Sequence, residues 1–189
     1  MDEVPWLDRD ELAAWVRLAA LMELLPGVLD RQLRRDAGLT TFDYFVLAML
    51  SEAPDRTLRM SDLAAQTNST LSRLSHVVHR LEDRRLVERF PCPENRRATN
   101  ARLTDEGWAL VRATAPGHVV AVRSHVIDAL SAEQIAQLTA IADAVLRRVD
   151  PTASMSAMYR RYDQPGGAPG AAASPGRASP DPEGAADLA

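Results

Sequence analysis

The sequence predicts a mainly α-helical protein with one small β-hairpin, and three observations support this fold class. Apolar residues recur at helical spacing over most of residues 8–149. The period changes to strict alternation only in "VERF" and "NARL", two short segments joined by a turn rich in proline and charge. Side chains that cap helices stand before the helical segments.

Composition is that of a soluble globular protein, and the length suits one domain or one and a half. The chain has 189 residues, of which 46% are apolar, and a formal net charge of −4. No uncharged apolar run of about 18 residues occurs, so no membrane span is predicted. The acidic start "MDEVPWLDRDEL" does not resemble a signal peptide. Cys92 is the single cysteine, which excludes a disulfide within one chain, and a cytoplasmic location is expected.

The first predicted helix covers residues 8–37. Asp8 is its expected cap, and Gly38 is its expected stop. Pro26 and Gly27 predict a kink or break inside it. The first predicted segment of the chain, residues 1–39, consists of this helix and the residues that flank it.

Three further helices are predicted before the hairpin. Thr40 or Thr41 opens one that runs to about Glu52. A cap at Ser61 starts the short helix "SDLAAQT", and a cap at Asn68 or Ser69 starts "STLSRLSHVVHRLEDRR". Two helices separated by only a few residues are typical of a helix-turn-helix.

Two more helices are predicted after the hairpin. Thr104 caps one that runs from Asp105 to about Leu130, with a kink at Pro116–Gly117. Ser131 and Gln134 form a capping box for the last helix. Residues 151–189 are a Pro/Gly/Ala-rich tail. From about residue 164 this tail is predicted to be disordered, because it cannot bury enough apolar surface to offset its ordering entropy.

The second helix of the helix-turn-helix has a polar face without carboxylates except at its C-terminal end, where Glu82 and Asp83 stand. At about 100° per residue, an apolar stripe is predicted to face the core; it consists of Leu71, Leu74, Val78 and Leu81. Such a polar face can approach phosphates and base edges without repulsion, although a solvated surface is the alternative interpretation. The candidate contacts on this face are Ser69, Thr70, Ser72, Arg73, His76, His79 and Arg80.

Basic charge is concentrated around the same region. Residues 55–112 carry 11 Arg against 8 acidic residues, whereas the chain as a whole is acidic. Arg96 and Arg97 lie near the hairpin tip, where an arginine can enter a narrow minor groove. Together these features predict double-stranded DNA as a partner.

Three pieces of this sequence resemble the MarR family of bacterial transcription regulators: "LAAQTNSTLSRLSHVVHRLE", "LVERFPCPENRR" and "LTDEG". The resemblance implies a winged helix-turn-helix at residues 40–115 within an intertwined helical homodimer. Residues 1–39 and 116–150 would supply the dimerisation helices, and the hairpin would be the wing. The family's wing arginine falls on Arg97. Asn95 stands where the family usually has Asp, so it can hydrogen-bond the wing but cannot form an ion pair with it. Arg85 stands where the family often has Gly; it is strained if its φ is positive, or else the turn differs and Arg85 is an extra phosphate contact.

The resemblance also implies a small phenolic or lipophilic anion as effector. Trp15, Phe42, Tyr44 and Phe45 are candidates to line its pocket, with Arg17 as counter-ion, and plain core packing is the alternative for each residue. Cys92 is interpreted as a passive wing thiol rather than a redox sensor. The four histidines are expected at the surface or facing DNA rather than in a metal site.

The function predicted from these features is a homodimeric, ligand-responsive repressor that binds a pseudo-palindromic operator. No cofactor is expected. A winged-helix module that binds a protein instead of DNA is the rival interpretation. An enzyme is not predicted, because the sequence offers no nucleophile–base pair, metal-ligand set or phosphate-binding loop.

Overall fold

The fold consists of seven helices and three short strands over the part of the chain that the structure describes. This structure is a computed structural model, and it describes residues 4–95, 97–161 and 163. The helices are α1 (Arg9–Ala37), α2 (Thr41–Glu52), α3 (Met60–Gln66), α4 (Leu71–Asp83), α5 (Asp105–His125), α6 (Ala132–Val149) and α7 (Ser156–Tyr159). The strands are β1 (Thr57–Arg59), β2 (Val87–Pro91) and β3 (Thr99–Leu103).

Helix α1 begins and ends where the sequence predicts. The carboxylate of Asp8 accepts hydrogen bonds from the first turn, Glu11 completes a capping box, and Gly38 ends the helix with φ 62°. Of the predicted kink or break at Pro26, the break does not occur, because the helix continues through this residue to Ala37. Proline removes one helical hydrogen bond, and packing of the C-terminal half of α1 against α5 offsets that loss.

Much of α1 exposes apolar side chains. By length and composition alone it is long and apolar enough to cross a membrane. Its apolar stretch nevertheless contains Arg17 and Glu23, and its C-terminal half buries Gln32 and Leu33. The large apolar side chains that α1 exposes are Leu12, Trp15, Val16, Leu18, Leu21, Met22 and Leu24.

One apolar core holds together α2, α3, α4 and the strands. Leu47 and Leu50 of α2, Leu63 of α3, and Leu74 and Leu81 of α4 are each at most 1% exposed. Their burial contributes roughly 1.5–3 kcal/mol per side chain before the entropy cost of ordering is counted. The helix-turn-helix is therefore fixed against the sheet by packing.

The three strands form one antiparallel sheet in the order β1-β3-β2. Val87 lies opposite Leu103 in the hairpin, as the alternating pattern predicts. Strand β1 was not predicted; it pairs Leu58 with Ala101 on the other edge of β3. The hairpin, called the wing below, is thus the outer part of a sheet that begins before α3.

The turn between α3 and α4 differs from the prediction at both caps. Helix α3 begins at Met60, and Arg59 precedes it without a side-chain cap, so the predicted cap at Ser61 is wrong. Thr70, rather than Asn68 or Ser69, caps α4 and accepts a hydrogen bond from the backbone N–H of Arg73 at 3.2 Å. Asn68 has φ 46°, which asparagine tolerates better than most residues.

Helix α5 starts in close contact with the end of the helix-turn-helix. Thr104 caps it, and its backbone N–H donates to Leu86 O at 3.1 Å. A Cβ on Gly107 would lie 2.1 Å from the same carbonyl oxygen. The helix continues through Pro116 and ends at His125 instead of Leu130. A 3-10 turn follows before α6, whose predicted capping box is present.

The segment after α6 folds back onto the helix-turn-helix. Asp150 accepts hydrogen bonds from Ser154 and Met155, Met158 packs against the core, and Arg161 pairs with Glu52 of α2. Of the tail, the structure describes residues 151–161 and residue 163. The disorder predicted from about residue 164 concerns residues outside the described part of the chain.

We expect Gly107→Ala to lower the free energy of unfolding by about 3 kcal/mol, because its methyl group would overlap a backbone carbonyl that cannot move aside. Urea denaturation followed by circular dichroism measures this change. Gly27→Ala is the matched control. Its Cβ would approach only the flexible Arg31 guanidinium at 3.7 Å, so we expect stabilisation of about 0.5–1 kcal/mol. Equal effects of the two variants would contradict the close contact.

Candidate nucleic-acid interface

Helix α4 presents three different surfaces around its buried side. Leu74, Val77, Val78 and Leu81 face the core. Ser72, His76 and His79 are exposed on the opposite side, which we call the outward face. The flank toward α1 and α2 carries Arg73, Arg80 and Arg84. The flank toward the wing carries Leu71, Ser75 and Glu82.

The prediction for Leu71 is wrong. Its side chain is 55% exposed, and Val77 takes its place in the core. Because Leu71 is the first residue of α4, no preceding turn covers it. It lines a groove of about 360 Å³ between α4 and the wing, together with Met60, Ser61, Ser75, Arg89, Arg97, Ala98 and Thr99.

The N-terminus of α4 is accessible. Thr70 and Ser72 are exposed, and Ser69 is half-buried with its hydroxyl 3.4 Å from that of Thr67. The backbone N–H groups in the first turn of a helix have no helical partners. In α4, the hydroxyl of Thr70 accepts a hydrogen bond from one of them, the N–H of Arg73. The first turn contains no acidic residue. This end of the helix is therefore electrostatically suited to an anion.

Two of the predicted contact arginines are engaged within the protein. The guanidinium of Arg73 lies 4.4 Å from the ring centroid of Phe42, a cation–π contact. Arg80 Nη2 lies 2.7 Å from Oδ1 of Asp43, a buried carboxylate at the start of α2. Neither residue is on the outward face, although both side chains remain more than one-third exposed.

The wing is attached to α4 by a second arginine–carboxylate contact. Arg89 of β2 donates to Glu82 from its backbone N–H at 3.0 Å and from Nε at 2.8 Å. Its guanidinium also reaches the hydroxyl of Ser75 at 3.3 Å. The orientation of the wing relative to α4 therefore depends on Arg89.

The wing turn is held by hydrogen bonds of Asn95. Its side-chain oxygen accepts from the backbone N–H of Arg97 at 3.1 Å, and its backbone carbonyl accepts from Ala98 at 2.8 Å. Asn95 thus orders the turn as a neutral acceptor in place of an aspartate. Arg97 is exposed at the tip. Arg96, the other predicted wing contact, lies outside the described residues.

Cys92 is buried at the base of the wing turn. The backbone N–H groups of Glu94 and Asn95 lower the pKa of its thiol, and the nearby Arg59 contributes in the same direction. Arg59 also pairs with Glu94 at 3.2 Å, which links the wing turn to β1. With only 4% of its surface exposed, the thiol is shielded from large reagents.

A groove of about 840 Å³ lies between α4 and the α1–α2 corner. Of the five residues predicted to line a ligand pocket, Phe42 lines this groove. Trp15 and Arg17 are exposed on the N-terminal half of α1, and Arg17 donates to the carbonyl of Ala13 at 2.7 Å. The groove is lined by Pro26, Gly27, Asp30, Thr40, Thr41, Phe42, Thr70, Ser72, Arg73, His76, Val77 and Arg80.

The remaining pocket candidates pack in the protein interior. Phe45 packs against the core. Tyr44 also packs there, and its ring lies tilted against that of His118 with the two centroids 4.8 Å apart. Nδ1 of His118 lies 3.2 Å from Oε1 of Gln32. His118 is half-buried against Tyr44 and Gln32, so the expectation of a surface or DNA-facing histidine is wrong at this position, and the same burial lowers its pKa. His76, His79 and His125 are exposed.

Sequence reasoning missed the residues that hold α4 in place. Asp43, Arg84 and Arg89 were not among the predicted site residues, yet each contacts α4 or joins it to a neighbouring element. One signal was present: positions 73, 80 and 84 fall within about 20° of one direction on a helix, separate from the outward face.

A helix-turn-helix followed by a two-stranded wing, with an outward face on which Asp83 at the C-terminal end of α4 is the one carboxylate and with an arginine at the wing tip, defines the class of winged-helix DNA-binding proteins. The MarR family model matches residues 37–98. Sco3205, a MarR family transcriptional regulator from Streptomyces coelicolor solved in complex with DNA, is 46% identical, with 78% of this chain and 92% of that chain covered and a TM-score of 0.74. The chain therefore belongs to the MarR family of transcriptional regulators.

Two further solved structures are similar. AbsC, a MarR family transcriptional regulator from Streptomyces coelicolor, is 38% identical over 79% of this chain and 97% of that chain, with a TM-score of 0.72. CouR from Rhodococcus jostii RHA1, solved bound to p-coumaroyl-CoA, shares the fold at 22% identity, over 69% of this chain and 87% of that chain, with a TM-score of 0.59. No curated protein gives a significant match.

Arg85 joins α4 to the wing in a strained conformation. Its φ is 59°, its N–H donates to Glu82 O at 2.7 Å, and Leu86 N donates to Leu81 O at 2.9 Å. This is the helix ending that normally uses glycine. The sequence-based expectation of strain at Arg85 is confirmed.

We expect Arg85→Gly to raise the free energy of unfolding by about 1 kcal/mol, since a left-handed backbone costs a residue with a Cβ roughly 1–2 kcal/mol and glycine very little. Thermal or chemical denaturation measures the gain. Arg84→Gly removes the same charge from the neighbouring residue, whose φ is −88°, so it should destabilise the protein. Destabilisation by both variants would show that the positive φ at position 85 does not reduce the stability of the protein.

Proposed function

We propose that this protein is a homodimeric transcriptional repressor that binds a pseudo-palindromic operator and responds to a small anionic effector. The observation that carries the proposal is the outward face of α4, where Ser72, His76 and His79 are exposed beside an accessible helix N-terminus and the wing tip. The 46% identity to a family member solved with DNA supports this interpretation. A cytoplasmic location and the absence of catalysis are parts of the same proposal.

Helix α4 is the proposed recognition helix, placed in the major groove. Ser72, His76 and His79 would meet bases or nearby phosphates, and Ser69 and Thr70 would meet a phosphate at the helix N-terminus. Arg73 would reach a guanine by leaving its contact with Phe42. Leu71, exposed at the first position of α4, is suited to contact with a thymine methyl group.

The wing is proposed to hold the flanking minor groove. Arg97 is exposed at the tip, and the hydrogen bond from its backbone to Asn95 limits the conformations of the turn. Arg96 is proposed to assist it. Minor-groove contact by arginine depends on groove width and negative potential rather than on base identity, so the wing would add affinity at many sequences.

Dimerisation is proposed because two helices expose large apolar surfaces. On α1 these residues include Trp15 and Leu21, and on α6 they include Ile141 and Val145, all at least 45% exposed. Monomeric soluble proteins rarely leave such contiguous patches uncovered. A second copy of the same chain would cover both helices and would place two recognition helices on one side of the duplex.

We expect Ile141→Glu to dissociate the dimer, because the carboxylate would be buried without a partner in the apolar interface. Sedimentation velocity at micromolar concentration measures the change in mass. Ala136→Glu introduces the same charge on the opposite side of α6 and should leave the dimer intact. A monomeric wild-type protein, or equal behaviour of the two variants, would contradict the proposed interface.

The effector is proposed to bind in the groove between α4 and the α1–α2 corner. Phe42 offers an aromatic surface, and Arg73 offers a positive charge. The Asp30 carboxylate in the groove is already bound by Arg34 and by the backbone N–H of Thr41, contacts that hold its pKa below the usual value. The fold shared with CouR, solved with p-coumaroyl-CoA, is consistent with a ligand that combines an aromatic ring and negative charge.

The test of the proposed function is a gel-shift titration with the intergenic DNA beside the protein's own gene, at two salt concentrations and against a scrambled competitor. A specific shift that weakens steeply with salt would support the regulator. The rival is a winged-helix module that binds another protein. It would be favoured if neither this DNA nor a genome-wide selection yielded a specific, salt-dependent complex.

We expect Arg97→Ala to weaken binding to operator and scrambled DNA alike. It should also reduce the slope of log affinity against log salt by about one, because one positive charge near the phosphates is lost. Arg73→Ala should cost about 1–3 kcal/mol at the operator only, if it contacts a guanine. Titration by fluorescence anisotropy measures both. Arg9→Ala, at the far end of α1, is the charge-matched control and should change neither quantity.

A further inference from the structure

Three arginines fasten one flank of α4 to the corner between α1 and α2. Arg73, Arg80 and Arg84 follow one another at intervals of seven and four residues, so they point in nearly the same direction from the helix. Each contacts a different feature of the corner. Arg73 meets the ring of Phe42, Arg80 meets Asp43, and Arg84 meets the end of α1.

The carboxylate of Asp43 has two separate tasks. Its Oδ2 accepts a hydrogen bond from the backbone N–H of Thr40 at 3.0 Å, which closes the capping box of α2. Its Oδ1 lies 2.7 Å from Nη2 of Arg80. The side chain is only 8% exposed. Withdrawal of Arg80 would therefore leave a shielded carboxylate oxygen without its partner, which is costly.

Arg84 binds the C-terminal end of α1. Its Nη1 donates to Gly38 O at 3.0 Å, and its Nη2 donates to Ala37 O at 3.2 Å. Carbonyl groups at a helix C-terminus have no helical partners and carry the negative end of the helix dipole. The guanidinium satisfies both oxygens at once, so the last turn of α4 is tied to the last turn of α1.

We propose that Arg80 and Arg84, together with Asp43, are positioning residues that set the orientation of α4 relative to α1, and that Arg80 does not contact DNA. This proposal rests on the proposed function, in which α4 is the recognition helix. Two anchors one helical turn apart fix both the tilt and the rotation of the C-terminal half of α4. They leave Ser72, His76 and His79 pointing outward.

The anchors connect DNA recognition to dimerisation. Asp43 stands at the start of α2, and the carbonyls bound by Arg84 belong to the helix that exposes the proposed dimer surface. The orientation of α4 should therefore affect the fit to a specific operator. Non-specific attraction depends on the cations that meet phosphates, among which the proposal does not place Arg80, and should respond little to this orientation.

The experiment compares Asp43→Asn, Arg80→Gln and the double variant by anisotropy titrations on operator and scrambled DNA at four salt concentrations. Asparagine keeps the cap on Thr40, because its side-chain oxygen still accepts a hydrogen bond. We expect each single variant to lose at least tenfold in operator affinity with an unchanged salt slope and unchanged affinity for scrambled DNA. The double variant should be no weaker than the weaker single variant, since both remove one interaction. Arg84→Ala should show the same selective loss.

Conservative and outward-facing variants complete the comparison. Arg80→Lys keeps the charge beside Asp43 and should restore part of the operator affinity that Arg80→Gln loses. His79→Ala removes a side chain from the outward face without touching the corner, so its effect should add to that of Arg80→Gln. Unchanged affinity for scrambled DNA also shows that the variants remain folded during the titrations.

Two results would overturn the proposal. If Arg80→Gln lowered the salt slope by about one while Asp43→Asn left operator affinity intact, Arg80 would be a DNA contact. Operator affinities equal to that of the wild type would show that the anchors do not affect recognition. If the wild-type protein bound no DNA specifically, the proposed function itself would fail. Hydrogen exchange of the free protein would then decide the anchoring, and unchanged protection of α4 in Asp43→Asn would reject it.

Discussion

Burial of the apolar side of α4 is the interaction on which the rest of this structure depends. Leu74, Val78 and Leu81 are removed from water against α2, α3 and the sheet, and this packing fixes which residues of α4 face outward. Polar side chains then sort by position into an outward face and two flanks. The flank arginine Arg80 and the flank carboxylate Glu82 each bind a neighbouring element. The core therefore determines the interface without containing any of its residues.

The two ends of the chain are stabilised in a different way. Helices α1 and α6 bury little of their apolar surface within one protomer, whereas the winged helix has a complete core. In the proposed dimer, folding of these helices and association are coupled, so the stability of that region depends on protein concentration. The winged helix is linked to it by α5, by the α1–α2 corner and by the segment that carries Met158.

Local signals predicted most of the fold. Capping residues and apolar period located α1, α2, α5 and α6, because helix ends depend on hydrogen bonds to nearby side chains. Strand β1 was missed because three residues carry no period, and its pairing partner lies more than 40 positions away. At Pro26 a kink or a break was predicted, and no break occurs because tertiary packing outweighs one lost hydrogen bond.

The site was predictable in type but not in its contacts. A polar face with carboxylates only at its C-terminal end can be read from residue spacing. Asn95 can hydrogen-bond the wing turn by its residue type, and it accepts a hydrogen bond from the backbone N–H of Arg97 there. The contact between Arg80 and Asp43 joins residues 37 positions apart and depends on how α2 crosses α4. The expected pocket combined residues from different parts of the protein, because an aromatic residue in a helix gives no sign of whether it faces a groove or the core.

The contact of Gly107 with Leu86 makes the start of α5 a rigid pivot. At this point the end of α4, the base of the wing and α5 are joined by hydrogen bonds from Thr104 to Leu86 and Arg85. Helix α5 has 21 residues and is thus about 30 Å long, so a change of about 5° at the pivot moves its far end by roughly 3 Å. In the proposed dimer, the angle at which α5 leaves this contact sets the distance between the two α4 helices, and therefore the distance between the two operator half-sites that the dimer fits.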